Sequence, residues 1–297
     1  MNAKIYQKKT MIVFFLIPAI LFIAVFLFYP FIQNIINSFQ HIKHLGTMGG
    51  EWNDPWYKNY LKMLDDQKIK IALQNTGIMV LATLIGQVGI ALILTLLVSN
   101  IKKGSGFFRV VFFFPIVVSA TALGLLFNLI FLYSDAGMIN SVRLALGAEK
   151  TLDFKSVAPM ITMMTPVLWQ YVGFYFIIML TGVSGIPEDL YEAASIDGAS
   201  RWQSVRYITL PLLRNSIWTC VVLAVTGALK VFDLPWTMFP KGMSNTWLTG
   251  TYMYSKTTSD VDYAAAISIL IVIVGVVLSV LVNNIFKQNS DYDVYDR

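Results

Sequence analysis

Residues 186–211 read IPEDLYEAASIDGASRWQSVRYITLP, and this stretch decides how the rest of the chain is understood. Pro187 is suited to opening a helix, and Glu188 and Asp189 suit the positive end of its dipole. Leu190, Ala193, Ala194 and Ile196 form one short apolar face. Gly198 then permits a backbone bend that a residue with a Cβ resists. A second short amphipathic piece follows, with Trp202, Val205 and Ile208 spaced by three, and Pro211 marks the start of the next segment. These features predict a helix–turn–helix lying at a membrane surface. Two roles fit it, an anchor among lipid headgroups or a docking element for a cytoplasmic protein, and periodicity alone does not separate them.

The membrane enters the argument because of what flanks this stretch. Six apolar runs stand out, at about Met11–Tyr29, Ile71–Val98, Phe107–Tyr133, Pro159–Val183, Leu212–Leu234 and Tyr263–Phe286. A transmembrane helix needs roughly 20 mostly apolar residues. Backbone amides in lipid must bond within their own segment, so each run is read as a helix. The chain of 297 residues is 56% hydrophobic and only 13% charged, with a mean hydropathy of +0.64. A soluble domain usually carries about 25% charged residues, and a soluble fold of this length could not hide so much apolar surface. The expected class is therefore all-α integral membrane, with six transmembrane helices. The basic pI of about 9.1 does not indicate nucleic acid, because the basic residues form no patch with interleaved aromatics. Cys220 lies inside an apolar run, and one thiol makes neither an internal disulfide nor a metal cluster.

Six spans put both termini on one side, and the positive-inside rule chooses it. The segments assigned to the cytoplasm hold Lys4, Lys8, Lys9, Lys102, Lys103, Arg109, Arg201, Arg206, Arg214, Lys287 and Arg297. The stretch from Ile101 to Arg109 has three basic residues and no acid. Both termini are thus expected inside. The first run, after Lys4, Lys8 and Lys9, is too long for a signal core and lacks a small-x-small cleavage site, so it is read as a retained helix. Pro18 and Pro30 make a kink plausible there. The expected organisation is a first helix and outer loop over 1–70, a core of five helices over 71–286 with the surface helix at about 187–200, and a tail over 287–297. Trp52, Trp56, Tyr57 and Tyr60 in the first outer loop fit an interfacial aromatic belt or a docking surface for an external partner.

The residue pattern of the opening stretch narrows its role. Glu192, Ala193 and Ala194, three residues, Gly198, nine residues, then Ile208, any residue, Leu210 and Pro211, resemble the EAA loop of ABC importer permeases at every defined position. Asn75-Thr76, Phe108-Arg109, Phe114-Pro115, Gly137, Asn140, Trp169, Ile186-Pro187, Phe232-Asp233 and Tyr263-Ala264-Ala265-Ala266 resemble the maltose-type sugar permeases, the binding-protein-dependent transport inner-membrane components. The resemblance runs from the first span to about Phe286, and the tail from Asn289 to Arg297 matches no pattern. It implies a type I importer fold in a bacterial or archaeal cell membrane. Five core helices would face a second permease subunit of similar fold, and the first helix would pack against that neighbour. The EAA loop would seat in a cleft of a separate ATPase dimer, with Glu192 making a polar contact and Gly198 shaping the bend. An extracytoplasmic solute-binding protein would deliver the cargo. This chain has no GxxxxGK[ST] phosphate loop, so ATP and Mg belong to the partner ATPase. No cofactor, metal or catalytic residue is expected on this chain.

A translocation path needs polar or aromatic groups facing the bundle interior. Gln87, Asn128, Trp169, Gln170, Tyr171, Tyr175 and Thr226 are the candidates. Sugars are bound by aromatic faces and by side chains that bond hydroxyls, and the Trp169–Tyr175 cluster supplies both. Packing between helices is the other role for each. Lys230 and Asp233, three apart near the outer end of the fifth run, are expected to share one helix face. They form either a polar contact at the mouth or a snorkelling lysine with an interfacial acid. An ion- or proton-coupled transporter would place an acid deep in a span. Here the acids sit in loops or at span ends. A scaffold without transport would not explain the polar groups of the fourth run. Cargo of the maltose type is an oligosaccharide, with glycerol phosphate and other polyols as the alternatives. The absence of an arginine cluster within the spans favours a neutral sugar.

Overall fold

A computed structural model of the chain describes residues 9–42, 49–99, 101 and 104–287. Lys4, Lys8, Lys102, Lys103 and the tail at 288–297 lie outside the described residues. The fold divides into two compact units. One comprises the described residues of Met1–Asp66 with Met253–Leu270, and the other those of Gln67–Tyr252 with Ile271–Arg297.

Among the described residues, five helical segments are long and apolar enough to cross a membrane: Val13–Asn37, Gln67–Val98, Pro159–Ser184, Arg214–Met238 and Val261–Asn284. The third apolar run departs from the expected single helix. It forms Ser105–Val117 and Ala120–Ile130, bent by 97°. The cause is local. Pro115 has no amide to donate to the preceding turn. Val118 and Ser119 are extended, and Ser119 caps the new helix, accepting from the Ala122 amide at 3.2 Å. Counting the bent pair as one span gives the sixth.

The fifth span is also interrupted. Its first helix, Arg214–Lys230, ends at an extended Val231, and a short second helix, Asp233–Met238, follows. Lys230 and Asp233 therefore do not share a helix face as expected, because the break lies between them. In the first span a π-turn, Ala24–Phe28, directly precedes the helix Tyr29–Asn37 and carries the bond from the Tyr29 amide to the Ala24 carbonyl. It meets Pro30, whose missing donor disturbs the ordinary ladder.

In the unit of Gln67–Tyr252, two apolar clusters hold the helices together. Met79, Leu123, Phe127, Met163, Leu234 and Phe239 anchor one. Val88, Phe176, Met179, Leu180, Leu213 and Cys220 anchor the other. Close helix approach rests on small residues, as is usual in membranes. A Cβ on Gly173 would lie 1.7 Å from the Phe112 carbonyl oxygen, and one on Gly124 would lie 2.8 Å from the Thr237 side chain.

In the other unit, a two-residue antiparallel hairpin pairs Gln40 with Trp52 and His41 with Glu51. It leads to a helix, Lys58–Asp65.

Candidate functional site

The second, fourth and fifth spans enclose a cavity of about 280 Å³. Its walls follow from helical periodicity. On the fourth span Val167, Gln170, Tyr171, Phe174 and Tyr175 line it, and their spacing of three and four residues is one helix face. Thr83 and Gln87 come from the second span. Both lie in a π-helical segment, Thr83–Gly89, a local irregularity frequent at functional sites. Leu223, Gly227 and Lys230 come from the fifth span, the break contributes Val231 and Phe232, and Asp233 opens the short helix beyond it. Ala120, first residue after the bend in the third apolar run, also lines the cavity.

Polar groups in these walls are bonded across helices. The Gln87 amide donates to the Val167 carbonyl at 2.8 Å. Gln170 donates to the Val118 carbonyl at 3.3 Å. Val118 is where the third run leaves helical geometry, so its carbonyl lacks a regular helical donor, and Gln170 supplies one. A freed backbone group at membrane depth must be satisfied in this way. Lys230 and Asp233 are exposed to the cavity, and no ion pair joins them among the described residues.

Six expected path residues therefore meet: Gln87, Gln170, Tyr171, Tyr175, Lys230 and Asp233. Three do not. Trp169 is 46% exposed, and its ring lies edge-on to Phe127 at 5.8 Å. One residue before Gln170, it faces away from the cavity side of the same helix. Asn128 accepts from Lys155 Nζ at 2.6 Å, and Lys155 also donates to the Met238 carbonyl at 3.0 Å. Lys155, from the short helix Phe154–Val157, thus ties Asn128 on Ala120–Ile130 to the end of Asp233–Met238. Burial lowers the Lys155 pKa, against the raising effect of Asp153. Thr226 bonds the Val222 carbonyl of its own helix at 2.8 Å. Thr83, Phe174, Gly227 and Phe232 line the cavity without having been selected from the sequence. Thr83 and Phe174 had a signal, since they lie four residues from Gln87 and from Gln170.

The stretch at 187–213 forms an elbow. Pro187 caps the helix Glu188–Ile196, with Glu188 and Asp189 in its first turn. The helix ends in a Schellman motif. The Gly198 amide bonds Ser195 at 3.1 Å and the Ala199 amide bonds Ala194 at 2.8 Å. Gly198 adopts φ +77°, the left-handed region that favours glycine. Ser200 then starts the helix Arg201–Ser204 through a capping box with Gln203, a signature present in the sequence but not used above. A hydrogen bond of 3.0 Å between the Tyr191 and Thr209 hydroxyls joins the two arms. Ile208 and Leu210 are half-buried, Pro211 is exposed, and Leu213 is fully buried. No residue of Glu188–Ile196 is buried, Glu192 and Ala193 are exposed, and Ile196 is 85% exposed.

Comparison with known proteins places these features in a family. A probable ABC transporter permease protein, YurN, of Bacillus subtilis (strain 168) is 30% identical over 295 residues, covering 96% of this chain and 99% of its own. The diacetylchitobiose uptake system permease protein NgcF of Streptomyces coelicolor is 30% identical over 296 residues, covering 93% of this chain and 82% of its own. The crystal structure of a bacterial alginate ABC transporter, in complex with alginate pentasaccharide-bound periplasmic protein, contains a chain of the same fold. It superposes with a TM-score of 0.84 at 21% identity, over 97% of this chain and 98% of that one. The fold is thus that of a type I ABC importer permease. The model of the binding-protein-dependent transport system inner membrane component matches residues 87–290. The chain belongs to that family and is a multi-pass permease subunit of an ABC importer that works with a solute-binding protein.

Proposed function

We propose that this permease forms half of the translocation path for an oligosaccharide, and that the elbow at 187–200 couples it to a separate ATPase dimer. The observation that carries the first part is the cavity. Gln87, Gln170, Tyr171 and Tyr175, from two spans, offer amides, hydroxyls and ring faces in one space of about 280 Å³. That mixture suits a sugar, whose C–H faces stack on aromatic rings and whose hydroxyls need partners. The relative named for diacetylchitobiose uptake supports the same class. A phosphorylated polyol is favoured only by Lys230, and Asp233 beside the same cavity offsets that charge.

The second part rests on the elbow's exposed apolar face and its fixed bend. ATP and Mg would be bound by the partner, and ATP-driven movement would reach this chain as a rigid-body displacement of Glu188–Ile196. A second permease of similar fold would complete the path. Both termini and the elbow face the cytoplasm in this reading. Ala193→Trp and Gly198→Pro, compared at matched membrane levels, should lose ATPase co-purification or uptake. Normal values of both would sink the coupling role. Cysteine at Ser200 should resist an impermeant thiol reagent in intact cells, whereas one at Gly49 should react. Identifying the ligand of the cognate binding protein tests the sugar class, and a ligand that is not a saccharide would overturn it.

A further inference from the structure

The helix Lys58–Asp65 lies between the end of the first span at Asn37 and the start of the second at Gln67. Its polar side is tied to the ends of membrane helices. The Asn59 amide donates to the Ser38 carbonyl at 3.0 Å and to the Asp262 carboxylate at 3.1 Å. The Tyr60 and Ser38 hydroxyls are 2.8 Å apart, and Lys62 pairs with Asp260. Ser38 is one residue beyond the first span, and Asp262 lies in the first turn of Val261–Lys287. These bonds hold the helix at the level where the spans leave the hydrocarbon.

Its other side is apolar and uncovered. Asn59 and Met63 are buried, whereas Tyr57, Leu61 and Leu64, spaced by four and three, are exposed, Leu64 by 67%. Trp56, 60% exposed, packs edge-on to Tyr57 at 5.3 Å and extends the stripe. Lys58 flanks it, exposed. A stripe of Trp, Tyr and Leu with a flanking lysine is the composition of a helix lying in the membrane interface.

We infer that Lys58–Asp65 is an interfacial anchor whose Tyr57–Leu61–Leu64 face sits at the headgroup–acyl boundary of the outer leaflet. It would fix the height of the first span through Ser38 and of the last through Asp262. The occupant of this face is lipid, because a Trp–Tyr–Leu stripe with a flanking lysine is held by Asn59 at the ends of two spans, the depth of the headgroup–acyl boundary.

The test uses the assembled transporter in lipid nanodiscs, in a Cys220→Ala background, with single cysteines at Lys58, Leu61, Leu64 and Asp65 carrying a nitroxide. At Leu61 and Leu64 collision with oxygen should exceed collision with a water-soluble nickel chelate several-fold, and at Lys58 and Asp65 the order should reverse. Nickel access at Leu61 and Leu64 equal to that at Lys58 overturns the inference in favour of an aqueous face. Shielding from both reagents overturns it in favour of a protein partner. If a labelled leucine variant does not assemble, Tyr57→Cys gives the same reading.

Discussion

The cavity and the elbow are built at different ranges along the chain. The bonds that shape the cavity join residues far apart: Gln87 to Val167 across 80 positions and Gln170 to Val118 across 52. Those that shape the elbow are shorter in range, the longest joining Tyr191 to Thr209 across 18 positions. Ser200 and Gln203 cap each other across three residues, and the Schellman motif closes within the helix end. The cavity therefore exists only where whole helices approach closely, and its two glutamines already have partners within the chain. The elbow sets its own shape but leaves Leu190, Ala193 and Ile196 of its apolar face exposed. A site assembled from distant helices and one shaped within a short stretch should fail in different ways when altered.

Gly173→Ala should give the largest effect. The added Cβ would lie 1.7 Å from a backbone oxygen of Phe112, so the third and fourth helices must separate. Overpacking typically costs about 1–3 kcal/mol, and a clash with backbone that no rotamer change relieves belongs at the upper end. The permease should be lost from membranes, and what remains should aggregate at a lower temperature in detergent. Gly198→Ala is the matched change in the elbow. Nothing lies within 4 Å of its Cβ position, and the cost comes from φ +77° alone, about 1–2 kcal/mol for a left-handed alanine. Membrane levels should stay near normal while ATPase co-purification falls. Equal loss of both variants from the membrane would break the comparison.

Ser200→Ala refines the local side of it. Losing an N-cap costs about 1 kcal/mol. Amide exchange at Arg201–Ser204 should quicken, and exchange at Thr83–Gly89 should not change. Faster exchange in both places would mean that the elbow and the cavity wall are one cooperative element.

The same division explains what was legible in the sequence. The membrane class, the spans and the elbow come from local signals: apolar length, Pro187 before an acidic turn, and Gly198 at a required positive φ. The 97° bend between Ser105–Val117 and Ala120–Ile130 had only Pro115 and Ser119 to announce it, and an unbroken apolar run conceals such a break. Six of the nine candidates gather in the cavity and three do not, because residue type marks a polar group without marking its face. Trp169 and Gln170 are neighbours in sequence yet point to different sides of one helix. Asn128 lies off the cavity, and its partner, Lys155, is 27 positions away, beyond the reach of local pattern. Thr83 and Phe174 were open to the 3.6-residue period, had it been extended from Gln87 and Gln170.

Gln87→Leu should have the smallest effect on stability and is the most direct test of the cavity as a path. Gln87 is 2% exposed, and its amide bonds the Val167 carbonyl at 2.8 Å. That carbonyl lies inside a continuous helix and is also bonded by its own turn, so removing Gln87 does not orphan it. Hydrogen bonds between membrane helices average about 0.6 kcal/mol, and leucine nearly fills the vacated volume. The assembled amount should therefore be close to normal. Uptake should not be. A hydroxylated cargo passing a leucine in place of an amide loses a partner while still shed of water, at about 1–2 kcal/mol, or roughly tenfold in uptake at low substrate. Thr226→Val is the control, since that hydroxyl bonds its own helix and lies off the cavity. Its uptake and level should both match the parent. If the two variants behave alike, or if uptake by Gln87→Leu falls only as far as its amount in the membrane, the cavity is packing between helices rather than a path.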